Sequence, residues 1–136
     1  MAIFDWYHKV AYRLTKIWAG QKQPDAQFNL GYLYYLGKGV EQDYAEAAKW
    51  YRKAADQGHK SALYNLGFLY KNGLGVPQDD VLAHMWFDLA ASRAAEWRQM
   101  EEEAIKSRDA VASNMTPAKI GQAQKLAGEW KPKKEQ

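Results

Sequence analysis

The stretch A-Q-F-N-L-G-Y-L-Y-Y-L-G-K-G-V-E-Q-D, residues 26–43, returns 36 residues later as A-L-Y-N-L-G-F-L-Y-K-N-G-L-G-V-P-Q-D, residues 62–79. Extending the match without a gap pairs residues 26–61 with 62–97 and gives 15 identities: Ala26, Asn29, Leu30, Gly31, Leu33, Tyr34, Gly37, Gly39, Val40, Gln42, Asp43, Ala47, Trp50, Ala54 and Ala55. Three further positions exchange one aromatic residue for another: Phe28/Tyr64, Tyr32/Phe68 and Tyr51/Phe87. Self-similarity of this density at this period marks an array of stacked units, none of which can bury its apolar face alone.

Within each copy the pattern reads as helix, turn, helix. Ala26–Leu36 is the first helix of repeat one, preceded by the breaker segment Gly20–Pro24, with Asp25 placed to cap it. Gly37 and Gly39, repeated as Gly73 and Gly75, stand where the chain must turn back and where a residue without Cβ adopts positive φ most readily. Asp43 and Asp79 then precede the second apolar pattern as N-caps. The second helix of repeat one is expected over Tyr44–Gln57, burying Ala47, Trp50, Tyr51, Ala54 and Ala55. Its alanines permit close helix approach, with Trp50 or Trp86 filling the volume between neighbours.

The flanks read as caps. Residues 3–18 place Ile3, Tyr7, Val10, Leu14 and Ile17 on one stripe, widened by Phe4, Trp6, Ala11 and Trp18, with Lys9, Arg13 and Lys16 opposite. Shifted by one period, Ala11 and Ala19 fall on Ala47 and Ala55, which makes this a degenerate half-repeat covering the first face of the array. Basic residues beside Trp and Phe also suit a lipid interface, so the competing reading is membrane surface contact through residues 3–18, in a membrane-peripheral or self-associating structural protein. Past the repeats, residues 95–113 form another helical pattern, in which Trp97, Met100, Ala104, Ile105, Val111 and Ala112 are the apolar candidates. Thr116-Pro117 is the clearest helix start in the chain, leading a last helix to about Trp130. Lys131–Gln136 is expected to be a disordered tail.

The expected organisation is one all-α unit over 1–136: an N-terminal cap helix (1–24), repeat one (25–60), repeat two (61–96), C-terminal cap helices (97–130) and the tail (131–136). A 136-residue chain with 47% apolar and 14% aromatic residues has enough material for a core. The net charge of +3 is uneven: residues 1–24 and 115–136 each carry +3 and residues 25–114 carry −3. No basic run with interleaved aromatics marks a strand-tracking groove, so no nucleic acid is expected as partner. Zero cysteines remove disulfides and thiolate metal sites together, and no window resembles a membrane span or a signal peptide, so a cytoplasmic setting is expected.

The residues Leu30-Gly31, Tyr34, Gly37-x-Gly39-Val40, Gln42-Asp43 and Trp50-Tyr51-x-x-Ala54-Ala55, present in both copies, resemble the Sel-1-like repeat, a tetratricopeptide-type α/α repeat with a longer, glycine-bearing turn. Arg108-Asp109, Met115-Thr116-Pro117 and Ala123-x-x-Leu126-Ala127 are similar to the terminal segment of bacterial members. The resemblance implies a right-handed α/α repeat superhelix whose first helices line the concave side and which works as an adaptor for another protein or peptide. This chain has two full repeats where many members have more, and it lacks the paired cysteines of secreted members, so neither their extracytoplasmic setting nor the β-lactam binding suggested for some of them is carried over.

The first helices then present Phe28, Asn29, Tyr32, Tyr35 and Leu36 in repeat one, and Tyr64, Asn65, Phe68, Lys71 and Asn72 in repeat two, as partner-binding candidates. By resemblance to tetratricopeptide proteins these are the peptide-contacting positions. Aromatic rings offer contact area with few rotors, and Asn amides bond both N–H and C=O of a backbone. Part of the set can instead be core; Tyr35, Lys71 and Asn72 are the members most expected to be exposed, because the repeats differ there. Asn29 and Asn65 suit a structural role equally well.

No enzyme is expected, and no metal or cofactor. His8, His59 and His84 have no partner at metal-ligand spacing, and H-E-x-x-H, G-x-S-x-G, S-x-x-K and phosphate-cradling loops are missing from the sequence. Glu101–Glu103 diverge around a helix axis and read as a solvated face. Partner identity and oligomeric state are left open.

Overall fold

A computed structural model describes residues 2–133. Among them the chain forms seven α-helices and no strand: α1 (Ala2–Gly20), α2 (Pro24–Leu36), α3 (Tyr44–Asp56), α4 (Lys60–Asn72), α5 (Asp80–Arg93), α6 (Arg98–Ala112) and α7 (Pro117–Glu129). Each helix packs on the next as far as α6, and α5 also carries α7. The α2–α3 and α4–α5 pairs are the two repeats, and the architecture is the expected all-α repeat superhelix.

Local chemistry sets the repeat. Pro24 opens α2 where a missing N–H costs nothing, so the helix starts two residues before Ala26 and Gln23, not Asp25, holds the N-cap position. Gly37 and Gly73 end α2 and α4 in the left-handed region, φ 69° and 64°, their N–H groups bonded to the carbonyls of Leu33 and Leu69. The Asp43 N–H reaches back to the Tyr34 carbonyl at 2.9 Å, as that of Asp79 reaches Tyr70 at 3.0 Å. Both aspartates then cap the next helix as expected, accepting from the Glu46 and Leu82 N–H groups at 3.0 Å each.

The two helices of a repeat approach closely because one of them has no side chain at the contact. A Cβ added to Gly31 would lie 2.7 Å from the Tyr51 ring, and one at Gly67 2.6 Å from the Phe87 ring. Ala47, Ala54 and Ala55, with Ala83, Ala90 and Ala91, line the same seams in the buried core. Trp86 is fully buried among them. Its repeat-mate Trp50 is only half-buried, with Lys53 Nζ 4.8 Å from the ring centroid, so the space-filling role expected of both tryptophans holds for Trp86 alone.

Helix α1 docks on α2, but not through the face its periodicity suggests. His8, Ala11, Tyr12, Thr15 and Ala19 form the covered side, and the Tyr12 hydroxyl bonds that of Tyr34 at 2.9 Å. The stripe of Ile3, Tyr7, Leu14 and Ile17 lies in solvent with Trp6 and Trp18, and only Val10 is half-buried. Repeat geometry outweighs apolar periodicity here: the small Ala11 and Ala19, one period before Ala47 and Ala55, allow backbone approach where Leu14 or Trp18 would hold the helices apart.

At the other end, α6 is tied to α5 by Arg108, whose Nη1 lies 2.9 Å from Asp88 Oδ1, and the same guanidinium reaches Asp109 at 3.1 Å. Burial works against the Arg108 charge, but these two carboxylates outweigh it and raise its pKa. Ala104 and Val111 are buried as expected; Trp97, at 60% exposure, is not part of the core. Thr116 Oγ1 accepts from the Lys119 N–H at 3.2 Å and caps α7. Trp130 packs under Arg93, 4.9 Å from guanidinium carbon to ring centroid. The Lys133 N–H bonds the Asp56 carbonyl, so the described part of the expected tail returns to the end of α3, while residues 134–136 lie outside the described residues.

Candidate functional site

Helices α2 and α4 carry the ten candidate positions in two matching sets. Asn29, Tyr32, Leu36, Phe68, Lys71 and Asn72 are exposed; Phe28, Tyr35, Tyr64 and Asn65 are half-buried. The division follows what each side chain touches. Phe28 stacks between neighbours, with ring centroids 6.3 Å from Tyr32, 5.4 Å from Tyr51 and 4.8 Å from His59. Tyr64 packs on Phe87 at 5.3 Å, and its hydroxyl bonds Ser107 Oγ at 3.1 Å.

Tyr35 departs from the expectation of exposure. Its ring lies 5.3 Å from that of Tyr44, and its carbonyl accepts from Gln42 Nε2 at 2.9 Å, so it braces the turn between α2 and α3. Lys71 and Asn72 are exposed as expected, although the Asn72 amide also donates to the Phe68 carbonyl at 3.0 Å. The two repeated asparagines differ: Asn29 edges a hollow of about 390 Å³ shared with Thr15 and Trp18 of α1, whereas Asn65 faces Tyr51 of α3.

The Tyr51 hydroxyl is buried and makes no hydrogen bond within range. Burial raises its pKa, the Asn65 amide works the other way, and the nearby hydroxyls of Tyr32 and Tyr35 raise it further.

His59 is the residue that sequence reasoning missed. Its Nδ1 accepts from the Ala62 N–H at 3.2 Å and so caps α4, which leaves the ring proton on Nε2, 2.9 Å from Asp25 Oδ1. Burial lowers its pKa, with Asp25 opposing. One ring nitrogen thus caps α4 locally while the other ties the start of α4 to the first turn of α2. The available signal was position: residue 59 immediately precedes α4, where a side-chain acceptor is needed, although Gln23 at the same place before α2 makes no such bond. Among the described residues no group of three or more His, Cys, Asp or Glu side chains is placed to hold a metal ion. No described helix is long and apolar enough to cross a membrane.

The model of the family described as Sel1 repeat matches residues 24–59 and 60–94, the spans of α2–α3 and α4–α5. The chain belongs to the Sel1 repeat family. Sel1 repeats generally mediate protein–protein interaction, and the fold typically serves as a non-catalytic scaffold. Among solved structures, the Sel1 chain is similar to c5321, a protective antigen of uropathogenic Escherichia coli strains displaying an SLR fold, at 36% identity and TM-score 0.83 over 90% of this chain and 25% of that one. It is also similar to a Sel1 repeat protein from Oxalobacter formigenes, at 40% identity and TM-score 0.62 over 62% of this chain and 65% of that one. The chain thus spans a quarter of the length of the first and about two-thirds of the second. No curated protein matches it.

Proposed function

We infer that this Sel1 chain is an adaptor that holds a peptide or a partner's helix against the exposed side of α2 and α4. One observation carries the reading. Of the seven aromatic residues on these two helices, Tyr32 and Phe68 alone stay exposed, at 42% and 39%, and they stand one repeat period apart. Leu36 extends the apolar surface, and Asn29, Lys71 and Asn72 supply polar groups around it. Rigid rings beside amide donors and acceptors match what an extended or helical segment needs from its receptor. A cysteine-free chain suits the reducing cytoplasm as the setting.

The test is site-specific photocrosslinking, with benzophenone side chains at position 32, at 68 and, as control, at Ala118 on α7. A partner captured at 32 and 68 but not at 118, and bound about 5- to 30-fold more weakly by Tyr32→Ala/Phe68→Ala, is the expected result. Capture of the same partner at all three positions, or unchanged binding by the double variant, overturns the reading. Because both rings are exposed, the variant should melt within about 1 kcal/mol of wild type.

A further inference from the structure

The outward face of α1 is apolar along its length and, apart from the half-buried Val10, lies in solvent. Ile3, Trp6, Val10, Leu14 and Ile17 recur at helical spacing over about 21 Å, and Ile3, Trp6 and Ile17 are 80%, 65% and 59% exposed. Tyr7 and Trp18 border the stripe on one side. On the other side stand Lys9, Arg13 and Lys16, all exposed. The face that packs on α2, made by His8, Ala11, Tyr12, Thr15 and Ala19, is the opposite one, so docking and exposure do not compete.

We propose that α1 is a membrane-surface element, lying in the headgroup region of an anionic bilayer with the Ile3–Ile17 stripe toward the acyl chains and Arg13 and Lys16 on the lipid phosphates. Charge complementarity selects this occupant. Residues 1–24 carry four basic side chains against Asp5 alone, and Asp5 is held by Lys9 at 3.1 Å, leaving Arg13, Lys16 and Lys22 as the excess. An antiparallel pairing of two α1 helices would bring both basic flanks to one edge, where like charges repel. Tryptophan and tyrosine at the borders of the stripe have the amphipathic rings favoured at headgroup level, and a basic amphipathic helix lies in the interface plane. The superhelix would then stand on the membrane by its first helix, with α2 and α4 free.

The test is flotation of the full chain with phosphatidylcholine vesicles, with and without phosphatidylglycerol, together with tryptophan quenching by brominated acyl chains. The expected result is binding to the anionic vesicles only, weakened by salt, with quenching that Trp6→Ala/Trp18→Ala diminishes. Each basic residue near an anionic surface contributes about a fivefold factor, so Arg13→Gln/Lys16→Gln should weaken partitioning about 30-fold. These side chains are exposed, and a wild-type melting curve confirms that the variants fold. Absence of binding at low salt, equal binding to neutral vesicles, or a dimer in solution abolished by Ile3→Glu/Ile17→Glu would each overturn the proposal.

Discussion

The backbone of Gly39 lies directly on the carbonyl of His8: a Cβ there would strike it, just as a Cβ at Gly75 would strike the carbonyl of Tyr44. Positions 8 and 44 differ by one repeat period, as do 39 and 75. The first helix therefore stacks as though it were the second helix of a preceding repeat. Both glycines also have positive φ, 74° and 72°, so a side chain is opposed by conformation and by space together.

Gly39→Ala should accordingly cost at least about 2 kcal/mol, combining left-handed strain with displacement of α1. Hydrogen exchange should locate the loosening in α1, whereas Gly75→Ala should loosen the junction between the two repeats. Uniform protection in Gly39→Ala would show that α1 does not depend on this contact.

Gly121 gives the opposite prediction. It sits inside α7 with nothing within 4 Å of a would-be Cβ and no positive φ. Gly121→Ala should stabilise the chain by up to about 1 kcal/mol through helix propensity and reduced unfolded-state entropy, read as a higher denaturant midpoint at unchanged slope.

Acid should weaken the fold through His59. Its pKa is lowered from 6.5 by burial, with Asp25 opposing. Between the ordinary value and the lower folded one, the unfolded chain binds more protons, so stability is complete above about pH 6.5 and is lost as pH falls through that window. A proton on Nδ1 also removes the acceptor that caps α4, a loss of about 1 kcal/mol. His84, likewise lowered by burial, contributes with the same sign. His59→Asn keeps a capping acceptor without a titrating ring, so its melting temperature should fall less between pH 7.5 and 5; an unaltered slope would assign the effect to His84.

The partly buried Arg108–Asp88 pair should matter more than the exposed pairs of this chain. Asp88→Ala leaves the guanidinium with only the exposed Asp109 and should cost about 1–3 kcal/mol. Breaking the exposed Arg98–Glu102 pair, whose atoms are 4.0 Å apart, should change the midpoint very little. A double-mutant cycle on residues 88 and 108 measures the coupling, and a value near zero would leave α6 held by its apolar packing and the Tyr64–Ser107 hydrogen bond.

The repeat, its turn and its caps could be read from neighbouring residues alone. Gly37, Gly39 and Asp43 act on backbone a few residues away, and their recurrence as Gly73, Gly75 and Asp79 states the same local geometry twice. Thr116-Pro117 was legible for the same reason. The remainder depends on contacts between residues distant in the chain, which no local pattern encodes. Tyr35 is braced by Tyr44 across the turn, His59 before α4 meets Asp25 in the first turn of α2, and the segment after Trp130 returns to Asp56. The first helix is the sharpest case. Its apolar periodicity names a stripe, but Ala11 and Ala19 allow the close approach that fixes which side meets α2, and the stripe is left facing outward.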